Sequence, residues 1–199
     1  MPAHVPPVAE EREGLLAFLA QQRAAVRNAC YGLDETQARA TPTTSVLSVG
    51  GLVKHLAETE RGWMRRVCGQ PDDVPPDAAS AFEDYRAGFR LGPAQTLGGS
   101  LADYADAAAE TEAVIGGIAD LGRAVPVPKG VPWFPDDVEA WSVRWVLLHL
   151  IEETARHAGH ADIVRESLDG ATGHELLAAA EGWPATPWVQ PWRPAAVPG

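Results

Sequence analysis

The stretch His149-Leu-Ile-Glu-Glu-Thr-Ala-Arg-His157-Ala-Gly-His160 most constrains how this chain folds. It reads as successive turns of one helix. At about 100° per residue, His149, Glu153, His157 and His160 fall roughly between −60° and +20° of Val146. Leu150, Ala161 and Val164 fall in much the same sector, roughly 0° to +60°. Three imidazoles and a carboxylate thus share the face that carries the apolar residues. Buried polar groups need partners, so this face predicts a metal or acid–base site inside a helical bundle.

Four long amphipathic segments supply the bundle. The first runs from near Val8 to Gly32, with Glu10 and Glu11 in its first turn and Leu15, Leu19, Val26 and Cys30 as its stripe. Leu33 to Ala40 forms a short helical connector. Ser48 caps a second helix over about 49–68, whose one side holds Leu52, His55, Leu56, Thr59, Trp63 and Val67. Gly69 closes it and Pro71 to Pro76 break the chain, ahead of a short helical piece around 77–88. Ser100, with Asp103 behind it, is the expected cap of the third helix, whose inner face includes Tyr104, Ala108, Thr111 and Ile115. Residues 123–141 read as a Pro-punctuated, aromatic loop of the kind that walls a pocket. Ser142 caps the fourth helix, over about 143–168, with Trp141 and Val146 as a hydrophobic staple. Gly170 ends it, and Thr172 with Glu175 makes a capping box for a short helix to about Glu181.

The expected fold is therefore all-α: an antiparallel four-helix bundle with a short extra C-terminal helix and an extended Trp/Pro-rich tail. Residues 1–182 form one helical-bundle domain in this reading, and 183–199 the tail, whose three tryptophans fold back on the body.

Charge narrows the partners. With 16 basic against 27 acidic residues, the net charge of −11 opposes binding to nucleic acid or to an anionic membrane surface. No apolar stretch is long enough to span a bilayer, and Met-Pro-Ala-His-Val-Pro-Pro lacks the basic and apolar regions of a signal peptide. Cys30 and Cys68 read as buried free thiols suited to a reducing cytoplasm, without the setting of a nucleophile.

Glu153-x-x-x-His157 places two ligand side chains one turn apart, and His55 can approach from a facing helix. On its own an ExxxH pair is a weak signal. The bland alternative, His55 as a core-edge histidine bonded to Glu153, still brings the two together. His149 reads as an outer partner or a plain buried histidine. His160 reads as an alternative ligand, an outer group or a proton shuttle; His4 and His174 receive no role. Trp63, Trp141, Trp145, Tyr85 and Tyr104 belong to the core or to a pocket wall, and Arg144, Arg156 and Arg165 to solvated helix faces, with Glu152 or Glu166 as the alternative partner of Arg156 or Arg165.

Two motifs resemble a known family. Gly51-Leu-Val-Lys-His55-Leu-Ala-Glu-Thr-Glu-Arg-Gly-Trp63 is similar to the second helix of the DinB/YfiT-like superfamily. Glu153-Thr-Ala-Arg-His157-Ala-Gly-His160-Ala-Asp-Ile-Val-Arg165-Glu166 is similar to its last bundle helix, and the run to Gly170 resembles the DUF664 branch. The resemblance covers about residues 10 to 175. It implies a four-helix bundle holding a divalent metal through the positions of His55, Glu153 and His157. Many relatives have histidine where this chain has Glu153, and often glutamine at the position of His160. The His/Glu/His set is similar to that of mycothiol-dependent maleylpyruvate isomerase. The implied activity is a thiol S-transferase or isomerase with mycothiol as cosubstrate, acting on a small electrophilic molecule. The alternative is a non-catalytic metal- or ligand-binding bundle linked to stress. Zinc heads the candidate metals, with nickel, manganese and iron behind it, and bundles of this kind often pair as homodimers.

Overall fold

The computed structural model describes residues 4–71 and 77–194. Seven helices and one two-stranded ladder are present among them. The four long helices are α1 (Glu11–Ala29), α3 (Val49–Val67), α5 (Leu97–Gly116) and α6 (Val143–Asp169). The short ones are α2 (Glu35–Arg39), α4 (Ala78–Gly88) and α7 (Gly173–Ala180). α1 lies against α6, and α3 lies between α5 and α6. The fold is the expected all-α bundle. The expected chain break at Pro71 to Pro76 falls, from residue 72 on, outside the described residues.

Local chemistry sets the helix ends. Ser48 and Ser142 accept hydrogen bonds from the backbone N–H groups of Gly51 and Trp145, at 3.2 and 3.1 Å. Thr172 and Glu175 form the expected capping box, and Asp34 with Gln37 forms another at α2. α1 begins at Glu11, later than Val8, and its N-cap Glu10 makes no side-chain cap bond.

The start of α5 corrects the reading of Ser100 as its cap. Thr96 takes that role, accepting from Gly99 N–H at 3.0 Å, and Ser100 is buried within the helix. The carboxylate of Glu35 accepts from Leu97 N–H at 2.9 Å, satisfying another free donor of this end. Burial of Leu97 draws the helix one turn further upstream. Asp103, expected to complete a capping box, pairs with Arg61 instead.

Two apolar clusters fill the bundle, one around Leu52, Leu56, Tyr104 and Val164, the other around Leu19, Trp63, Ile115 and Leu147. Between them each long helix contributes a buried polar residue: Arg23, Glu60, Thr111 and Thr154. Arg23 and Glu60 form an ion pair with both side chains only 2% exposed. The apolar stripes thus break at one level; Glu153 adjoins Thr154 of this layer on α6, while His55 lies on α3 among Val53, Leu56 and Ala57 of the first cluster.

Residues 123–141 are not wholly irregular. β1 (Ala124–Pro126) and β2 (Ala140–Ser142) pair antiparallel, with Val125 opposite Trp141, and tie off the base of the aromatic loop. The tail folds back through Trp183, edge-on to His174, and through Trp192. An added Cβ on Gly32, whose φ is +73°, would meet the Trp192 ring at 2.6 Å. Glycine therefore serves both the left-handed turn and the close approach. Trp188 departs from the expectation, being 90% exposed.

Two further readings are corrected. Cys68 is exposed, at the C-cap just past Val67, the last residue of α3; Cys30 is buried, and burial pushes its thiol up to about 12. Arg165 is wholly buried rather than solvated. It donates to the carbonyls of Ala29 and Tyr31 at 2.8 Å, pairs with Asp169, and lies 4.8 Å from the Trp192 ring centre. It thereby satisfies carbonyls at the end of α1.

Candidate metal centre

α3 presents His55 toward α6, whose Glu153 and His157 lie one turn apart. The Nε2 atoms of His55 and His157 each lie 3.2 Å from the same oxygen, Oε1 of Glu153. The ligand atoms of the three residues fall within 4.8 Å of one another. His55 and His157 are buried, at 7% and 5% exposure, while Glu153 is half-buried. Hydrogen bonds from His157 and His55 hold the Glu153 carboxyl well below the usual carboxylate range.

This donor set fits a divalent cation. Two imidazole nitrogens and a carboxylate oxygen suit zinc and its first-row neighbours. Both nitrogens already aim at one oxygen, so a cation replacing the two N–H protons would draw on atoms gathered from only two helices. Nδ1 of His157 lies 3.2 Å from Nδ1 of His160, an outer contact that fixes the ring. Thr59 places its hydroxyl 3.4 Å from Nε2 of His55.

The four polar groups of the α6 face are not equally buried, as one shared apolar sector would suggest. His157 is buried, Glu153 and His149 are intermediate, and His160 is exposed. His149 takes no part in the cluster. It stacks on Trp145 with ring centres 5.2 Å apart, meets the edge of Trp63, and reaches Glu152 at 3.5 Å.

Phe89, just past α4, was not legible as a site residue, since it lies outside any helical periodicity. Its ring stacks on His55 with centres 3.9 Å apart and planes 20° apart. Gly51 makes this possible, because a Cβ there would lie 1.9 Å from the Phe89 carbonyl oxygen. Tyr85, one turn earlier, meets the edge of His55 at 6.0 Å. Burial, then the negative charge of Glu153, raises the Tyr85 phenol, so it remains a neutral donor.

A cleft of about 500 Å³ lies elsewhere, between α1, α6 and α7, lined in part by Gln22, Asn28, Asp162 and His174. It gathers no comparable ligand set. Burial, with Glu166 as the second cause, pushes the Asp162 carboxyl up to about 6.

The family model for mycothiol-S-transferase matches residues 14–170. The chain belongs to the mycothiol-S-transferase family. This family is one of the DinB-like superfamily, and the matched span contains His55, Phe89, Glu153, His157 and the aromatic loop. A crystal structure of the conserved protein of locus from Enterococcus faecalis is similar in fold, with a TM-score of 0.62 at 13% identity over 82% of this chain and 100% of that one. At that identity the likeness speaks for the bundle alone. No curated protein matches the chain. Among the described residues, no helix is long and apolar enough to cross a membrane.

Proposed function

We propose that this protein is a metal-dependent enzyme that uses a mycothiol-type thiol, as an S-transferase or isomerase, on a small electrophilic molecule. Membership of the mycothiol-S-transferase family supports the thiol. The observation that carries the reading is the convergence of His55, Glu153 and His157 within 4.8 Å. These three residues hold the metal, with zinc the first candidate.

Held by His55, Glu153 and His157, a divalent ion would lower the pKa of a thiol and so supply thiolate near neutral pH. The chain's own groups do the rest. Glu153 supplies the one negative charge of the ligand set. Phe89 stacks on one face of His55 and keeps it from rotating. His160 holds Nδ1 of His157, and burial, followed by the nearby His157, lowers its own pKa.

The test is elemental analysis of tag-free protein beside His157→Ala, followed by mycothiol consumption with a panel of electrophiles. Near-stoichiometric metal, lost in the variant, with turnover lost alongside it, is expected. Metal without turnover of any electrophile would leave a metal-binding bundle without catalysis. No metal in either protein, after zinc, nickel and manganese are added, would overturn the reading.

A further inference from the structure

Asp162 leaves α6 on the side away from the candidate centre. At about 100° per residue it stands roughly half a turn round the helix from Glu153. It lines the cleft of about 500 Å³ between α1, α6 and α7, with Gln22, Ala25 and Asn28 on one wall and His174 and Leu177 on the other. A half-buried carboxylate ordinarily takes donors from the protein. Asp162 takes none: among the described residues no hydrogen bond or ion pair engages it. Burial raises its pKa, and Glu166, one turn further along α6, is the second cause. The amide side chains of Gln22 and Asn28 are likewise unengaged among the described residues. Space is kept for the carboxylate. An added Cβ on Gly173, at the start of α7, would lie 3.0 Å from Oδ1 of Asp162, so a side chain there would have to push it aside.

The charges around the cleft leave Asp162 uncompensated. Beside it stand Glu166 and two imidazoles, His174 of α7 and His4 of the segment leading into α1. Past Asn28 the cleft adjoins a hollow lined by Arg27, Ala180 and Glu181, at the other end of α7 and roughly 10 Å away at about 1.5 Å per residue. Arg165, on the same helix as Asp162, turns into the core toward Asp169 and the carbonyls of Ala29 and Tyr31. The net charge of −11 favours the approach of a cation. A metal ion would need several oxygen ligands, and among the described residues Asp162 belongs to no cluster of metal-ligating groups.

We propose that this cleft is a second binding site, for a small polar molecule that carries a primary ammonium group. The ammonium donates to Asp162. The amides of Gln22 and Asn28 bond hydroxyl or carbonyl groups of the same molecule, and Leu177 with Ala25 covers its carbons. A charged donor suits the site better than a neutral one, because a charge-assisted hydrogen bond is roughly twice as strong and cancels the uncompensated charge. The inference is independent of the thiol reading, since the two sites face opposite sides of α6.

An NMR titration of the full chain, following backbone amide shifts, tests the site at the modest affinity expected of small probes. The probes are aminocyclohexanol, its neutral counterpart cyclohexanediol and the anion hydroxycyclohexanecarboxylate. Aminocyclohexanol is expected to shift the amides of Asn28, Gly173 and Leu177 saturably, with a Kd on the order of 1 mM, and to leave those of His55 and Glu153 in place. The diol should bind about tenfold more weakly, and the anion more weakly still. Asp162→Asn keeps the shape and removes the charge; with unchanged circular dichroism it should weaken aminocyclohexanol about tenfold and bring it level with the diol. The proposal is overturned if the diol or the anion binds the wild type as tightly as the amine, or if Asp162→Asn leaves binding of the amine unchanged. It is overturned equally by shifts confined to Arg27, Ala180 and Glu181, or by no saturable shift up to about 50 mM.

Discussion

Phe89 lies flat on His55, with ring centres 3.9 Å apart, and reaches that position only because residue 51 is glycine. The obstacle to a larger residue is a backbone oxygen, which cannot rotate away as a side chain would. Gly51→Ala is therefore expected to cost about 1–3 kcal/mol of stability and to displace Phe89 from His55. Urea unfolding measures the first effect, and metal affinity the second. Unchanged stability and affinity would show that the α3–α4 approach has slack.

Metal should stabilise the folded chain by mass action. At a free metal concentration about 100 times Kd, the gain is about 2.7 kcal/mol. Thermal unfolding with and without chelator should show this in the wild type and lose it in His55→Ala. A chelator-sensitive Tm in that variant would place the metal elsewhere.

The hydrogen bonds of His55 and His157 to Glu153 depress its carboxyl pKa in the metal-free protein. A depressed carboxyl adds stability above its unfolded pKa and loses it as the pH falls through the folded value. Metal-free wild type should thus lose stability below the usual carboxylate range, and Glu153→Gln should flatten that acid limb. Parallel pH–stability curves for the two proteins would contradict the assignment.

Asp162 works in the opposite sense. Its folded pKa is raised to about 6, so its contribution to stability is present at low pH and lost as the pH rises through that value. Allowing for partial exposure, Asp162→Asn should stabilise the protein by on the order of 1 kcal/mol at pH above the folded pKa. Near the unfolded pKa of Asp it should do little. Denaturant melts at the two pH values make the comparison.

Arg23 and Glu60 cross the polar layer between the two apolar clusters. Removing one partner strands a buried charge, so Glu60→Leu should cost about 3–5 kcal/mol, and adding Arg23→Met should recover most of it. A double-mutant cycle by urea unfolding reads the coupling. Additive losses would mean that each residue is held by other partners, such as Glu112 for Arg23.

The sequence by itself determined the helices, most of their ends and the placing of Glu153 and His157 one turn apart on one helix face. These follow from local rules: apolar spacing at the helical period, hydroxyl caps, left-handed glycines, and two ligands one turn apart. Where a local rule had two candidates, as with Thr96 and Ser100, burial of Leu97 and the distant carboxylate of Glu35 chose between them. Tertiary structure alone decided the rest. Arg165 is buried because its carbonyl partners lie 134 and 136 residues away in the chain. Phe89 joins the centre through a close approach of α3 to the end of α4. His149 and His160 leave the centre because the packing of α3 against α6 covers one strip of the face and leaves its margins to Trp145 and to solvent. Periodicity gives the direction of a side chain; what stands opposite it depends on contacts between segments far apart in sequence, which no local pattern encodes.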